Sequence, residues 1–461
     1  MQRPAGLEDD LTLQFLNSRI DYERALAASY DKRDFRLDRM RDLLARLGNP
    51  HETLRIVHVA GTKGKGSTAA MIATVLSAAG YRTGLYSSPH LNRVEERLMI
   101  DGTICPSDEF AQLVGGIQGA VAAMDAQSTR DGEGSNRPTY FEIITALALV
   151  CFAQHRVQAA VLEVGLGGRL DSTNVCTPLV SVITSISFDH TQLLGETLAS
   201  IAGEKAGIIK PGVPVVSGVE AEEPRAVIAD VARRNECRLV ELGRDFDFEY
   251  RPPRDLQRLA SLGRMDFVDR TGETPRRLDD LQLALLGRHQ AANAAVGLAA
   301  LAELGRQGFD VSESALRQGL AEVRWPARAE VLRRSPTVVL DAAHNVASAE
   351  ALVRVLDESF DCPRRLLVFA ATRDKNVRGM LQVLLPRFDE VIFTRYWTNP
   401  RGVPPEELEA LAAELSGIGR HTCTDSATAW QTAQKLATTE HLICVTGSIF
   451  VAAEVRSAVA G

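Results

Sequence analysis

Apolar and polar positions along this chain alternate between two periods, and the alternation lays out the fold. A β-branched run (Ile56, Val57, Val59) breaks at Gly61, and an apolar pattern at helical spacing restarts through Met71, Ile72, Val75, Leu76 and Ala79. Gly80 ends that helix, and a short strand follows over Thr83 to Tyr86. Strand, glycine-rich loop, helix, strand is the βαβ unit in which a helix N-terminus faces an anion.

The same reading covers the rest of the chain. Residues 7–50 read as helical, with Leu37, Met40, Leu43, Leu44 and Leu47 near helical spacing and a stop at Gly48-Asn49-Pro50. Residues 125–138 are polar and glycine-containing, which predicts a surface insertion. Thr139 to Phe152 predicts an apolar helix, Ala159 to Val164 a buried strand running into Gly165-Leu166-Gly167-Gly168, and Leu179 to Ile186 a further buried strand ending in Ser187-Phe188-Asp189-His190. Residues 242–280 read as a β-rich excursion, and Gly287 to Leu304 as an alanine-rich helix. Trp325-Pro326-Ala327-Arg328 breaks the helical run and is read as a hinge. Beyond it, apolar runs at 338–340, 366–369, 391–393 and 442–445 are separated by helical stretches. The expectation is an α/β protein: a larger domain with a mainly parallel sheet over residues 1–323, and a smaller α/β domain over 324–461.

Composition narrows the class. In 461 residues, 52 basic against 59 acidic side chains give a net charge of −7, which argues against a general nucleic-acid binder. The 45% hydrophobic and 24% charged fractions are those of a globular protein. No apolar run reaches the length of a membrane span, and the N-terminus lacks the basic and apolar segments of a secretory signal. The seven cysteines are scattered without a C-x-x-C pair, so they read as reduced thiols in the cytoplasm.

The glycine loop carries the first chemistry. Gly61, Gly64 and Gly66 let successive N–H groups turn inward on an anion, Lys65 supplies a point charge for β/γ-phosphates, and Ser67 or Thr68 offers a hydroxyl near a Mg²⁺ ion. The strict P-loop pattern fails at Val59, leaving the shorter Gly61-x-x-Gly64-Lys65-Gly66-Ser67; an ordinary turn carrying solvated lysines is the alternative. In parallel sheets ligands sit beyond the carboxyl ends of the strands, and Ser88, Glu163 and His190 fall at or just past such ends. Glu163 suits a metal, but it would serve equally as a buried carboxylate paired with Arg169; His190 is a possible imidazole ligand or a backbone-satisfied side chain. By spacing alone Lys205 reads as a surface lysine paired with an acid. Asp341 and His344 follow the first strand of the second domain, and Arg328 would reach a phosphate on domain closure or form an interdomain ion pair. Gly165-x-Gly167-Gly168 is not a dinucleotide fingerprint, and no G-x-S-x-G elbow occurs.

With these residues in view, the chain resembles the folylpolyglutamate synthase/dihydrofolate synthase family, relatives of the Mur ligases, over nearly its whole length. The blocks are Arg46 to Pro50, His58 to Ser67, Ser87 to Leu91, Glu96-Arg97, Glu163 to Asn174, Asp189 to Gly195 and Glu204 to Lys210. Asp374-Lys375-Asn376 and Asn399-Pro400-Arg401 resemble late family blocks. The resemblance implies a P-loop-containing Mur-ligase-like ATPase domain followed by a Rossmann-like glutamate ligase domain. It implies an ATP-dependent amide ligase joining L-glutamate to dihydropteroate or a reduced folate through an acyl phosphate. By carry-over, Gly61, Thr62, Gly64, Lys65, Gly66, Ser67, Thr68, Gln290, Asn293, Arg328, Asp341 and His344 would contact ATP. Ser88, Glu163 and His190 would hold one Mg²⁺, and Lys205, as a carbamate, would support a second; Lys65, Lys205 and His190 would be catalytic. The implied protein is a cytoplasmic monomer without nucleic-acid or membrane partners. Five positions depart from the family pattern: Lys63 replaces an Asn, Val94 a phenylalanine, Ala327 and Ala342 replace glycines, and Val346 replaces a proline. The alternatives are another Mur-type ligase acting on a different carboxylate, and a catalytically silent ATP-binding paralogue; Ser88, Glu163, His190 and Lys205 are all retained.

Overall fold

The computed structural model describes residues 11–21, 36–130 and 136–460. Two compact units emerge: Met1–Asp247 with Phe267–Arg277 and Ala292–Leu320, and Phe248–Asp266 with Leu278–Ala291 and Ala321–Gly461.

The first unit is built on one sheet. Its strands are β1 (Ile56–Ala60), β2 (Thr83–Tyr86), β3 (Leu98–Ile100), β4 (Thr103–Ile104), β5 (Ala159–Glu163), β6 (Val180–Ile183), β7 (Val215–Ser217) and β8 (Leu239–Glu241), in the order β4-β3-β2-β5-β1-β6-β7-β8. From β2 through β8 the pairing is parallel, and only β3 and β4 run antiparallel to their neighbours. Every residue of β1 and β5 is buried, as expected of central strands covered on both faces. Helices α1 (Leu11–Asn17), α2 (Leu37–Arg46), α3 (Lys65–Ala78), α4 (Ser107–Arg130), α5 (Tyr140–Gln154), α6 (Thr191–Leu194), α7 (Leu198–Lys205) and α8 (Glu222–Arg234) follow in the chain, with α9 (Arg288–Gly305) and α10 (Glu313–Glu322) after the excursion.

Local chemistry fixes these helices. Asn49, in the left-handed region at φ 53°, and Gly48 stop the polypeptide after α2. Thr139 and Glu142 form a reciprocal capping box at the start of α5, and the Glu142 carboxylate also receives Arg39 Nε at 2.8 Å, which ties α2 to α5 inside the core.

The excursion is a three-stranded sheet, β9 (Phe246–Arg251), β10 (Gly263–Asp269) and β11 (Arg276–Leu283), in the order β11-β10-β9. The second unit carries β12 (Glu330–Arg334), β13 (Thr337–Leu340), β14 (Arg364–Phe369), β15 (Glu390–Phe393), β16 (Gly419–Thr422) and β17 (His441–Thr446), ordered β12-β13-β17-β14-β15-β16. All its pairs are parallel except β12 with β13. Helices α11 (Val346–Ser359), α12 (Val377–Leu384), α13 (Pro405–Leu415), α14 (Ser426–Leu436) and α15 (Ile449–Ala460) complete it.

Three expectations need correction. The polar stretch from residue 125 begins as helix, since α4 continues to Arg130; residues 131–135 lie outside the described residues, as do 22–35 of the expected N-terminal helix. Strand β6 ends at Ile183 rather than Ile186: Thr184 N still donates to Ala60 O at 2.9 Å, and beyond it the hydroxyls of Thr184 and Ser185 hold the glycine loop at Lys63 O. Strands β12 and β16 carry partly exposed, arginine-containing sequences at sheet edges, so no apolar run announces them. Among the described residues no helix is long and apolar enough to cross a membrane, and all seven cysteines are free.

Candidate active site

The loop after β1 is held from below by the segment after β6. Thr62 N donates to Ser185 O at 2.7 Å, Lys63 N to Ser185 Oγ at 3.1 Å, and Thr184 Oγ1 to Lys63 O at 2.6 Å. Gly61 sits at φ +148°, where a Cβ would lie 2.0 Å from Thr184 Oγ1; Gly64 sits at φ +84°, where a Cβ would lie 2.1 Å from Asn293 Oδ1. Both positions therefore require glycine for backbone conformation and for space. Helix α3 starts immediately afterwards at Lys65, so the glycine loop runs directly into a helix N-terminus, the end that favours an anion. Thr68 is fully buried and its hydroxyl donates to Asn293 O at 3.4 Å, which leaves Ser67 as the first-turn hydroxyl without that bond.

Sheet register brings the carboxylate to this loop. Val59 pairs with Glu163 across β1 and β5, and Tyr86 pairs with Leu162 across β2 and β5. The carboxyl ends of β2, β5 and β1 thus set Ser88, Glu163 and Gly61 side by side. Ser88 N donates to Glu163 Oε2 at 3.3 Å, and Glu163 is 4% exposed. Arg169 does not neutralise Glu163 as the sequence allowed; it pairs with Glu204 at 3.7 Å.

Lys205 is not a surface lysine. It ends α7 with 5% exposure and donates from Nζ to Gly61 O at 2.9 Å. Burial, with Lys65 adding repulsion, brings its ammonium down to about 7. His190 caps α6 at φ 49°, its side chain about half exposed, with Nε2 3.8 Å from Asp189 Oδ1; the other oxygen of Asp189 takes Lys63 Nζ at 2.5 Å. His190 and the glycine loop are therefore linked through Asp189.

Asp171 is the residue that sequence reasoning left without a role. It is buried and accepts from Gly165 N and Leu166 N at 3.0 Å each through one oxygen, and from Thr173 N at 3.0 Å and the Thr173 hydroxyl through the other. Burial pushes its carboxyl above the usual range. Because Thr173 Oγ1 spends its proton on Asp171, it accepts from His58 Nε2 at 2.8 Å, and His58 Nδ1 is then the acceptor facing the Cys176 thiol at 3.8 Å. His58 is held neutral, pushed down to about 3 by burial and by Lys210. This chain of bonds runs beneath the 165–174 loop, which packs directly on α7: a Cβ at Gly168 would lie 2.8 Å from Glu204 O, and Arg169 N donates to that carbonyl at 2.8 Å. The loop fixes the end of α7, and hence Lys205. The invariable partner of a buried carboxylate is a set of donors, and the Gly-Leu-Gly-Gly stretch before Asp171 was the signal for them.

In the second unit, Asp341 follows β13 and accepts from Ala329 N and Ala343 N at 2.7 Å each, with burial raising its carboxyl and Arg328 opposing. Arg328 Nη1 donates to Ala327 O at 2.9 Å, and His344 Nδ1 lies 2.9 Å from Ala342 O. Ala327 stands at φ 54° where a glycine was expected, a strained position for a Cβ-bearing residue. Gln290 is buried, next to His289, whose imidazole burial lowers to about 4.

Residues 59–301 match the Mur ligase middle domain and residues 327–449 the Mur ligase, glutamate ligase domain. The chain is 36% identical over 425 residues to the dihydrofolate synthase/folylpolyglutamate synthase of Bacillus subtilis strain 168, covering 91% of this chain and 94% of that one. The structure of Mycobacterium tuberculosis folylpolyglutamate synthase complexed with ADP is similar at a TM-score of 0.85 and 33% identity, over 98% of each chain. Escherichia coli FolC in complex with DHPP and ADP gives a TM-score of 0.81 at 32% identity, over 100% of this chain and 99% of that one.

Proposed function

The chain belongs to the dihydrofolate synthase/folylpolyglutamate synthase family within the Mur ligases, and on that premise we propose the reaction and the roles that follow. It is an ATP-dependent acid–amino-acid ligase of folate metabolism. A pteroate or folate carboxylate attacks the γ-phosphorus of ATP, the bond to the β-phosphate oxygen breaks, and ADP leaves behind an acyl phosphate. The amine of L-glutamate then attacks the acyl carbon, loses a proton, and inorganic phosphate departs.

The N–H groups from Gly64 to Ser67 bind the phosphates, and Lys65 neutralises charge on the transferred group. Gln290, Asn293, Arg328, Asp341 and His344 are assigned to the nucleotide. Ser88, Glu163 and His190 are assigned to one Mg²⁺, and Lys205, carbamylated, to a second. The donor set fits: Ser88, whose N–H donates to Glu163 Oε2, and Glu163 bring oxygen-bearing residues together, and a carbamate would convert a nitrogen that is already poorly charged into an oxygen ligand. Bound there, divalent cations would screen the repulsion between the attacking carboxylate and the γ-phosphate. We keep residues 1–323 as the ATP-binding portion and 324–461 as the ligase portion, a division supported by the family matches at 59–301 and 327–449.

The observation that carries this reading is the register of β2, β5 and β1, which brings Ser88, Glu163 and the glycine loop together at the carboxyl ends of the strands. Glutamate-dependent phosphate release from MgATP, with dihydropteroate and tetrahydrofolate offered separately, tests it. Release with the first alone means a dihydrofolate synthase, with the second alone a tail-extending synthase, and with both a bifunctional ligase. Release with neither, while ATP still binds, removes the folate substrate and leaves another Mur-type carboxylate or a silent paralogue.

A further inference from the structure

Away from the nucleotide loop, two short segments each present a pair of metal-binding residue types one helical turn apart. Cys105 and Glu109 lie at the entry to α4, and Cys151 and His155 at the end of α5. The thiols of Cys105 and Cys151 and a carboxylate oxygen of Glu109 all lie within 4.8 Å of one another, with Cys151 Sγ 3.9 Å from Glu109 Oε1. A tetrahedral zinc ion with bonds of roughly 2.0–2.3 Å needs ligand separations only slightly shorter than these. Among the described residues this is the one group of three such side chains.

The role of His155 follows from its other neighbour. Arg82 Nη2 lies 2.8 Å from His155 Nδ1, and a guanidinium can only donate, so Nδ1 is an acceptor. The neutral ring then carries its hydrogen on Nε2, which bonds Glu109 Oε1. His155 therefore orients the carboxylate and does not itself offer a lone pair. Cys105 and Cys151 are 6% and 1% exposed, whereas the Glu109 and His155 side chains are 31% and 30% exposed. The soft ligands are shielded, and the carboxylate side is open as an entry path and as a fourth coordination position.

We propose that Cys105, Cys151 and Glu109 bind one thiophilic divalent cation, zinc by preference, with His155 as the positioning residue, and that this cation staples the start of α4 to the end of α5. The ligation chemistry of the nucleotide loop plays no part in it: two thiolates and one carboxylate favour zinc over the oxygen-seeking Mg²⁺.

The test uses the full chain, reduced, freed of metal with a chelator and titrated with Co²⁺ and then Zn²⁺. Expected are a thiolate-to-cobalt charge-transfer band saturating at one equivalent, its loss on adding Zn²⁺, and a rise in melting temperature with Zn²⁺. The Cys105→Ser/Cys151→Ser variant should lack the band although Cys176, Cys237, Cys362, Cys423 and Cys444 remain. His155→Ala should weaken Co²⁺ binding by about tenfold while keeping the band. Glu109→Gln, a change at a half-exposed position that leaves the core intact, should also keep the band at lower affinity. No band in the parent chain, a band that survives the double serine variant, or unchanged Co²⁺ affinity in Glu109→Gln each overturns the proposal. So does a Cys105–Cys151 disulfide forming where the metal fails to bind.

Discussion

The Lys205 nitrogen and the Gly61 carbonyl lie 2.9 Å apart, joining the end of α7 to the root of the glycine loop. The contact buries an ammonium within reach of Lys65 and Lys63, whose charges oppose its own. Such a lysine is reactive as an amine near neutrality, which is the state that adds carbon dioxide.

The carbamate on Lys205 is therefore expected to depend on pH with a definite sign. Below about 7 the residue holds its proton and cannot react; above it the amine is free. A labelled carbamate resonance from ¹³C-bicarbonate should grow as pH rises through that value and be missing in Lys205→Ala. The same variant should lose about 10²–10³ in kcat. A silent spectrum on the alkaline side, with full turnover in Lys205→Ala, would rule out the role.

Stability carries the same signature. The unfolded chain keeps the ordinary lysine value of 10.5, so between about 7 and 10.5 it binds a proton that the folded state does not. Lys205 thus contributes a rise in unfolding free energy with pH across that window, because the unfolded state is the more protonated. Lys205→Met should flatten this part of the profile in urea titrations at several pH values.

Asp171→Ala would leave the N–H groups of Gly165, Leu166 and Thr173 and the Thr173 hydroxyl without their acceptor. A loss of about 2–4 kcal/mol is expected from urea unfolding, with Asp171→Asn retaining part of it. Turnover should fall in both, since the 165–174 loop holds the end of α7. An unchanged unfolding midpoint in the alanine variant would remove Asp171 from the scaffold of the site.

Gly61→Ala should weaken ATP binding at least about tenfold, since the new methyl meets Thr184 Oγ1 and the backbone stands at a positive φ. Adding Thr184→Ala should restore part of the affinity by removing the clash. Calorimetric titration with a non-hydrolysable ATP analogue reads both; equal affinity for parent and Gly61→Ala would show that the loop does not bind the phosphates.

Lys63→Asn removes the ion pair with Asp189, whose partners are 32% and 17% exposed. Stability should change by under about 1 kcal/mol because solvent screens the pair. ATP affinity should fall a few-fold and lose some of its salt dependence, as one cation fewer faces the phosphates. Unaltered salt dependence would mean that Asp189 already cancels the charge.

The course of β1, the glycine loop, α3 and β2 was legible because each is a local pattern: consecutive buried β-branched residues, a glycine break, then helical spacing. Edge strands β12 and β16 were not, since half-exposed strands carry no continuous apolar signal. Nor was the end of β6, where the hydroxyls of Thr184 and Ser185 turn to Lys63 O of the loop. Ser88, Glu163 and His190 could be named from their positions past strand ends, but their company could not. Arg169 turns to Glu204, Lys205 turns inward, and Asp171 becomes the acceptor of a whole loop.

By itself the sequence determined the α/β class, the glycine loop between β1 and α3 and the inventory of charged side chains, because periodicity and glycine placement act within a few residues. Tertiary structure decided which of those side chains are desolvated and whom they face. Strand order β2-β5-β1 brings residues 88, 163 and 61 together at the carboxyl ends of the strands, and the packing of α4 on α5 brings Cys105 to Cys151. Charge state and ligand geometry depend on burial and on partners distant in the chain, and no local pattern encodes either.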